Sequence, residues 1–122
     1  MIKSYKNLEV YQECYNLAMD IFWVTKNFPK EEIYSLTSQL VRASRSVSAN
    51  IAEGWSKRNY ESIFKQHLIH SLGSNGETEN WLNIALDCNY IEKESYDELM
   101  KRNSIIGKKL TKLHQNWKSY EK

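Results

Sequence analysis

The chain has 122 residues, 41% of them hydrophobic, which suits one domain with one core and leaves no room for two. One proline and four glycines supply few breakers, which argues against a fold of many short strands. A net charge of +2 speaks neither for nor against a nucleic-acid partner, and no apolar run approaches a membrane span or a signal-peptide core, so the expectation is a soluble, cytoplasmic protein.

The first predicted helix runs from about Asn7 to Asn27 and carries two apolar seams. One is Val10, Cys14, Leu17, Ile21, Val24 and Phe28; the other is Leu8, Tyr11, Tyr15, Ala18 and Phe22. Each keeps the alternating spacing of a packed interface, and two together are broader than one bundle position needs. Tyr11, Tyr15 and Phe22 are therefore candidates for a contact between subunits.

Pro29 ends that helix, and Lys30-Glu31-Glu32 opens the second with acids at the positive end of its dipole. The second helix is expected to continue to Glu53 and to be central. Leu36, Leu40, Ala43, Val47 and Asn50 share one face, and Ser44, Ser46, Ser48, Ala49 and Ala52 keep the rest slim. Gly54 is the expected C-cap and Asn59 the N-cap of the next helix.

The third helix, about Tyr60 to Asp87, has apolar ends (Phe64, Leu68; Trp81, Leu82, Ala85, Leu86) and a small, polar middle from Ser71 to Thr78. A mid-helix glycine costs about 1 kcal/mol relative to alanine, so Gly73 and Gly76 predict close approach of the second helix, or else a break. After a turn at Asn89-Tyr90-Ile91, the fourth helix spans about Lys93 to Tyr120. Its seam is Tyr96, Leu99, Asn103, Ile106, Leu110, Leu113, Trp117 and Tyr120. The fold class is thus all-α: a single antiparallel up-down-up-down four-helix bundle over residues 1–122, expected to associate with further copies of itself.

Gln39-Leu40-x-Arg42-Ala43 followed by Ser46-Val47-x-x-Asn50-Ile51-Ala52-Glu53-Gly54 resembles the signature of the four helix bundle protein family, also called the 23S ribosomal RNA intervening-sequence protein family. Gly73-Ser74-x-x-Glu77, Leu8-Glu9-Val10 and Phe28-Pro29 fit it too, so the resemblance covers nearly the whole chain. Ser71 and Asn75-Gly76 depart from the common pattern. The resemblance implies a small bundle in a ring-shaped homopentamer with no established enzymatic activity. It also implies an association with nucleic acid, through the family's occurrence within ribosomal RNA genes and its likeness to a retroelement accessory protein.

Enzyme templates fit poorly, and the chain reads as non-enzymatic, with no cofactor, no metal and no evident small-molecule substrate. No glutamate has a histidine three residues on, as a di-iron bundle requires, and no arginine is followed by a histidine after four to six intervening residues. His67 and His70 lack a further ligand at helical spacing, and Cys14 and Cys88 read as buried free thiols.

Two constellations remain. Counting outward from the turns brings Gln39, Arg42, Ser74, Glu77 and Asn103 toward one cross-section, with Arg45, Asn50 and Glu53 on the same central helix. A carboxylate there needs a partner, so Glu77 is expected to be buried against Arg42 or Arg45, in its own or a neighbouring subunit. In a bundle of this topology one end gathers Lys57, Arg58, Lys65, Lys109, Lys112 and Lys118, together with Lys3, Lys6, Lys108, Lys122, Tyr60, Trp117 and Tyr120. The other end is acidic, with Glu31, Glu32, Asp87, Glu92, Glu94, Asp97 and Glu98. The named lysines and Arg58 are candidates for RNA or DNA phosphates. The alternative is an oligomeric protein–protein scaffold without nucleic-acid binding.

Overall fold

The computed structural model describes residues 2–119. Tyr120, the expected end of the fourth helix, and the Glu121 and Lys122 charges lie outside the described residues. Among those described there are four α-helices and no strand: α1 (Glu9–Thr25), α2 (Leu36–Trp55), α3 (Glu61–Asp87) and α4 (Lys93–Asn116). Short 3₁₀ turns at Tyr5–Asn7 and Lys30–Glu32 precede α1 and α2.

Each helix is held by the stripe that its spacing foretells. Ile21, Leu40, Ile51, Phe64, Leu68, Leu82, Leu99, Ile106 and Leu110 are all but fully buried in one continuous core. Burying each such side chain stabilises the fold by about 1.5–3 kcal/mol. Helix contacts run α1 to α2, α2 to α3, α3 to α4 and α4 back to α1, while the α1 and α3 backbones are not adjacent among the described residues. Ser46 meets Ser74, Val47 meets Ser71 and Asn50 meets His67, so residue numbers rise on α2 as they fall on α3. The Asp20–Arg102 and Glu13–Lys109 ion pairs set α1 against α4 in the same opposed sense. Aromatic rings close the core at both ends. Trp117 packs on Phe64 (4.6 Å between centroids) and Trp55 (5.8 Å), and Phe28 on Tyr90 (5.6 Å).

Several local expectations are corrected. The residues Lys30–Glu32 form a 3₁₀ turn and α2 begins only at Leu36. Glu32 serves as its cap: its Oε1 accepts from the Ser35 hydroxyl (2.6 Å) and the Leu36 N–H (3.2 Å), satisfying a free helix-end donor. Tyr90 donates to the other oxygen (2.9 Å). These donors hold the Glu32 carboxyl below the usual range, the Ser35 bond foremost, and the carboxylate pushes the Tyr90 hydroxyl up to about 12. Gly54 is not a left-handed C-cap, for no glycine has positive φ and α2 runs on to Trp55. Its use is steric, because a Cβ there would lie 2.7 Å from His67 Cβ.

Tyr60, not Asn59, occupies the N-cap of α3, with no side-chain bond. α3 is unbroken, and helix two does not crowd Gly73 or Gly76, where an added Cβ meets nothing within 4 Å. The other close approach is at Gly107, where a Cβ would fall 2.7 Å from Asn75 Oδ1. Cys14 is buried as expected, its thiol pushed up to about 12 chiefly by burial, but Cys88 is exposed just beyond α3. The chain reverses there through Asn89, whose φ of 64° is the left-handed conformation asparagine tolerates.

Candidate functional site

The small-residue run of α2 and the polar middle of α3 meet in a chain of hydrogen bonds. Ser74 Oγ donates to Ser46 Oγ (3.0 Å), and Asn50 Nδ2 donates to the Ser46 carbonyl (3.0 Å). Asn50 Oδ1 lies 3.4 Å from His67 Nδ1, and His67 Nε2 lies 3.3 Å from Lys57 Nζ. An ammonium can only donate, so Nε2 accepts from Lys57 and the Nδ1 proton faces Asn50. Lys57 also reaches Glu53 Oε2 (3.5 Å). Asn50, Glu53 and Gly54 of the signature run thus all serve one end of the α2–α3 contact.

A second polar bridge joins α3 to α4. Asn75 Nδ2 donates to Asn103 Oδ1 (2.9 Å) and to the Asn103 carbonyl (2.9 Å), while Asn103 Nδ2 donates to the Asn75 carbonyl (3.0 Å). Asn103 is buried, so this pairing meets the requirement that a core amide be satisfied.

The expected polar cross-section is therefore only partly assembled in the single chain. Ser74, Asn50 and Asn103 face the helix contacts, but Gln39, Arg42, Arg45, Glu53 and Glu77 are exposed. Within its own chain Glu77 is not buried against an arginine; it accepts from Trp81 Nε1 (3.3 Å), and Arg45 lies over the Phe22 ring (5.3 Å). Asn75 holds the place expected of Glu77. Two residues along an α-helix turn the side chain by about 200°, which carries Glu77 to the outside when Asn75 faces α4.

The candidate phosphate contacts divide. The residues 117–119 turn back onto the α2–α3 loop, where Ser119 Oγ donates to the Arg58 carbonyl (2.5 Å). Arg58 is drawn inward, its guanidinium over the Trp55 ring (4.5 Å) and donating to the Trp55 carbonyl (3.0 Å). Lys65 pairs with Glu61 (3.5 Å). Glu61 also accepts the Ser119 N–H (3.1 Å), the main cause that holds its carboxyl below the usual range. Lys109 is clamped between Glu13 (2.6 Å) and Glu9 (3.4 Å), and the Glu13 bond foremost holds its ammonium above the usual lysine range. Lys112 and Lys118 are exposed and make no ion pair within 4 Å among the described residues. Lys112 borders an open groove of about 660 Å³ between α3 and α4, with Lys108, Asn75, Ser104, Thr111 and Gln115. Trp117 belongs to the core end; Tyr60, 62% exposed, is the aromatic left for stacking among the described residues.

On α1 the expected interface residues split similarly. Tyr11 and Phe22 are half-buried, Tyr11 edge-on to Tyr5, whereas Tyr15 is 51% exposed. Met19 and Trp23 extend this outer line, Trp23 being 61% exposed. Their spacing at i, i+4 and i+8 is the signal in the sequence that the seam pattern overlooks. Among the described residues no cluster of three potential metal ligands occurs, and no helix is long and apolar enough to cross a membrane.

No curated protein matches the chain. Among solved structures, it is similar to a protein of unknown function from the S23 ribosomal protein family of Bacteroides thetaiotaomicron. The two share 25% identity and a TM-score of 0.80, over 88% of this chain and 96% of the other. The sequence matches the 23S rRNA-intervening sequence protein family over residues 6–112. With that match across most of its length and four helices in the matching fold, the chain belongs to the 23S rRNA-intervening sequence protein family.

Proposed function

We propose that this chain is a non-enzymatic binding module: an up-down-up-down bundle that forms a cyclic homo-oligomer and contacts RNA or DNA through its basic end. A cytoplasmic setting fits that reading, and the family resemblance favours a pentamer. The observation that carries it is that Lys112 and Lys118 are exposed and make no ion pair within 4 Å among the described residues, Lys118 lying next to the Ser119 contact with the α2–α3 loop, where Tyr60 is exposed. In a ring all such ends face one side, so a small excess of charge per subunit becomes a continuous positive surface. Exposed Tyr15, Met19 and Trp23 support self-association, being more apolar surface than a solitary helix edge needs.

The test is fluorescence anisotropy of a labelled single-stranded RNA at low salt. Lys112→Glu with Lys118→Glu should weaken binding while size-exclusion chromatography shows assembly unchanged; Lys93→Glu, at the opposite end, should do neither. Equal binding by the native protein and the double variant removes the nucleic-acid reading. One observation favours the scaffold as the second reading. Tyr34, 95% exposed, and Ile33 project at the acidic end, where a basic protein partner would find both charge and apolar contact.

A further inference from the structure

We infer that the outer edge of α1 in one copy docks on the outer line of α3 in the next, so that the subunits join head to tail through two different faces. This rests on the self-association proposed above and names the surfaces that meet. Ile69, Gly73, Gly76 and Ile84 follow one another at helical spacing on the outward side of α3. Ile69 is 47% and Ile84 37% exposed, and between them Gly73 and Gly76 leave a notch in which an added Cβ meets nothing. Glycine weakens a helix interior, and packing within the chain gives these two no reason to be small. A neighbour's side chains supply one.

Tyr15, Met19 and Trp23 have the complementary shape, three large exposed side chains in line. The two faces also stand at the same height. A small internal gap lined by Cys14, Leu17, Ala18, Ser44 and Val47 sets the middle of α1 beside the middle of α2. The Val47–Ser71 and Ser46–Ser74 bonds set α3 at that same level. In a ring whose axis runs along the helices, rotation preserves height and brings Tyr15 and Met19 of one copy opposite Gly73 and Gly76 of the next. Because the α1 and α3 backbones are not adjacent among the described residues, the faces belong to different sides of the bundle and the contact propagates around a ring.

Charge agrees. Lys26 (4.4 Å) and Arg45 (5.3 Å) both lie over the Phe22 ring at the edge of the α1 face, and neither has a carboxylate within 4 Å among the described residues. Glu77 and Asp87 on α3 likewise have no cation. Across the contact these cations meet these acids, which gives Glu77 the arginine that its own chain withholds.

The experiment uses the full chain with Cys88→Ser, leaving Cys14 buried. Met19→Cys and Gly73→Cys proteins are made separately, mixed, oxidised and weighed by mass spectrometry, alongside sedimentation equilibrium of native and Gly73→Leu protein. The expected result is a disulfide joining the two different variants. Gly73→Leu should keep its helical content yet assemble about tenfold more weakly. A native protein that sediments as single chains overturns self-association itself. Native assembly with unimpaired Gly73→Leu assembly, or with Met19→Cys linking only to itself, overturns the pairing of these faces alone.

Discussion

Gly54→Ala is the sharpest perturbation of the α2–α3 contact. The new Cβ would stand 2.7 Å from His67 Cβ, 3.2 Å from His67 Cγ and 3.2 Å from Phe64 Cδ1. His67 Cβ is tied directly to its backbone, and Phe64 is fully buried, so neither can swing aside. Relief therefore requires the two helices to part. Overpacking of this kind costs about 1–3 kcal/mol, against a helix-propensity gain of about 1 kcal/mol. Gly76→Ala provides the reference, since it has the same propensity gain and no steric cost within the chain. Subtracting one effect from the other isolates the clash, and Gly54→Ala should come out about 1–3 kcal/mol less stable than Gly76→Ala. Urea unfolding followed by circular dichroism measures this, at several matched chain concentrations so that any contribution from assembly is separated. Gly54→Ala as stable as Gly76→Ala would refute the reasoning.

Asn103→Ala should cost about 1–3 kcal/mol in the same assay by leaving the Asn75 amide without its partners; an unchanged urea midpoint would count against the bridge. A thiol reagent at pH 8 should label exposed Cys88 quickly and Cys14, buried and raised to about 12, only on unfolding, with two equally fast thiols contradicting the placement. Glu32 has a folded-state carboxyl held down by Ser35, Tyr90 and Leu36, so its stabilisation is present above about pH 4.3 and lost as pH falls through the lower folded value. Glu32→Gln should therefore flatten the acid limb of the stability curve below about pH 5, and parallel curves for the two proteins would deny the cap.

The helices were legible because their apolar residues recur every three or four positions, and the buried set on α4, Leu99, Asn103, Ile106 and Leu110, is the seam that the spacing marks. Helix rotation was harder to read. Counting from the turns places Glu77 and Asn103 at similar heights, but height leaves the direction of a side chain free. That direction is fixed by the Asn75–Asn103 bonds and the tight contact at Gly107. The glycines show the same limit: Gly54 and Gly107 accommodate neighbours, while Gly73 and Gly76 meet none, and composition does not tell them apart. For the basic end, sequence supplies the lysines but not their commitments. Lys109 is held by Glu13 through a contact between distant parts of the chain, and Arg58 by a ring it follows by three residues.

The salt dependence of RNA binding tests the central claim most directly. Each phosphate neutralised releases counterions, so the logarithm of the binding constant should fall linearly with the logarithm of salt, by about 0.7 per phosphate on a single strand. A ring presenting Lys112 and Lys118 from every subunit should bind a labelled RNA with a steep slope. Charge reversal at both positions should flatten that slope, and Lys93→Glu should leave it unchanged. A native protein that fails to bind at low salt, or a slope indifferent to the Lys112 and Lys118 reversals, would contradict the account.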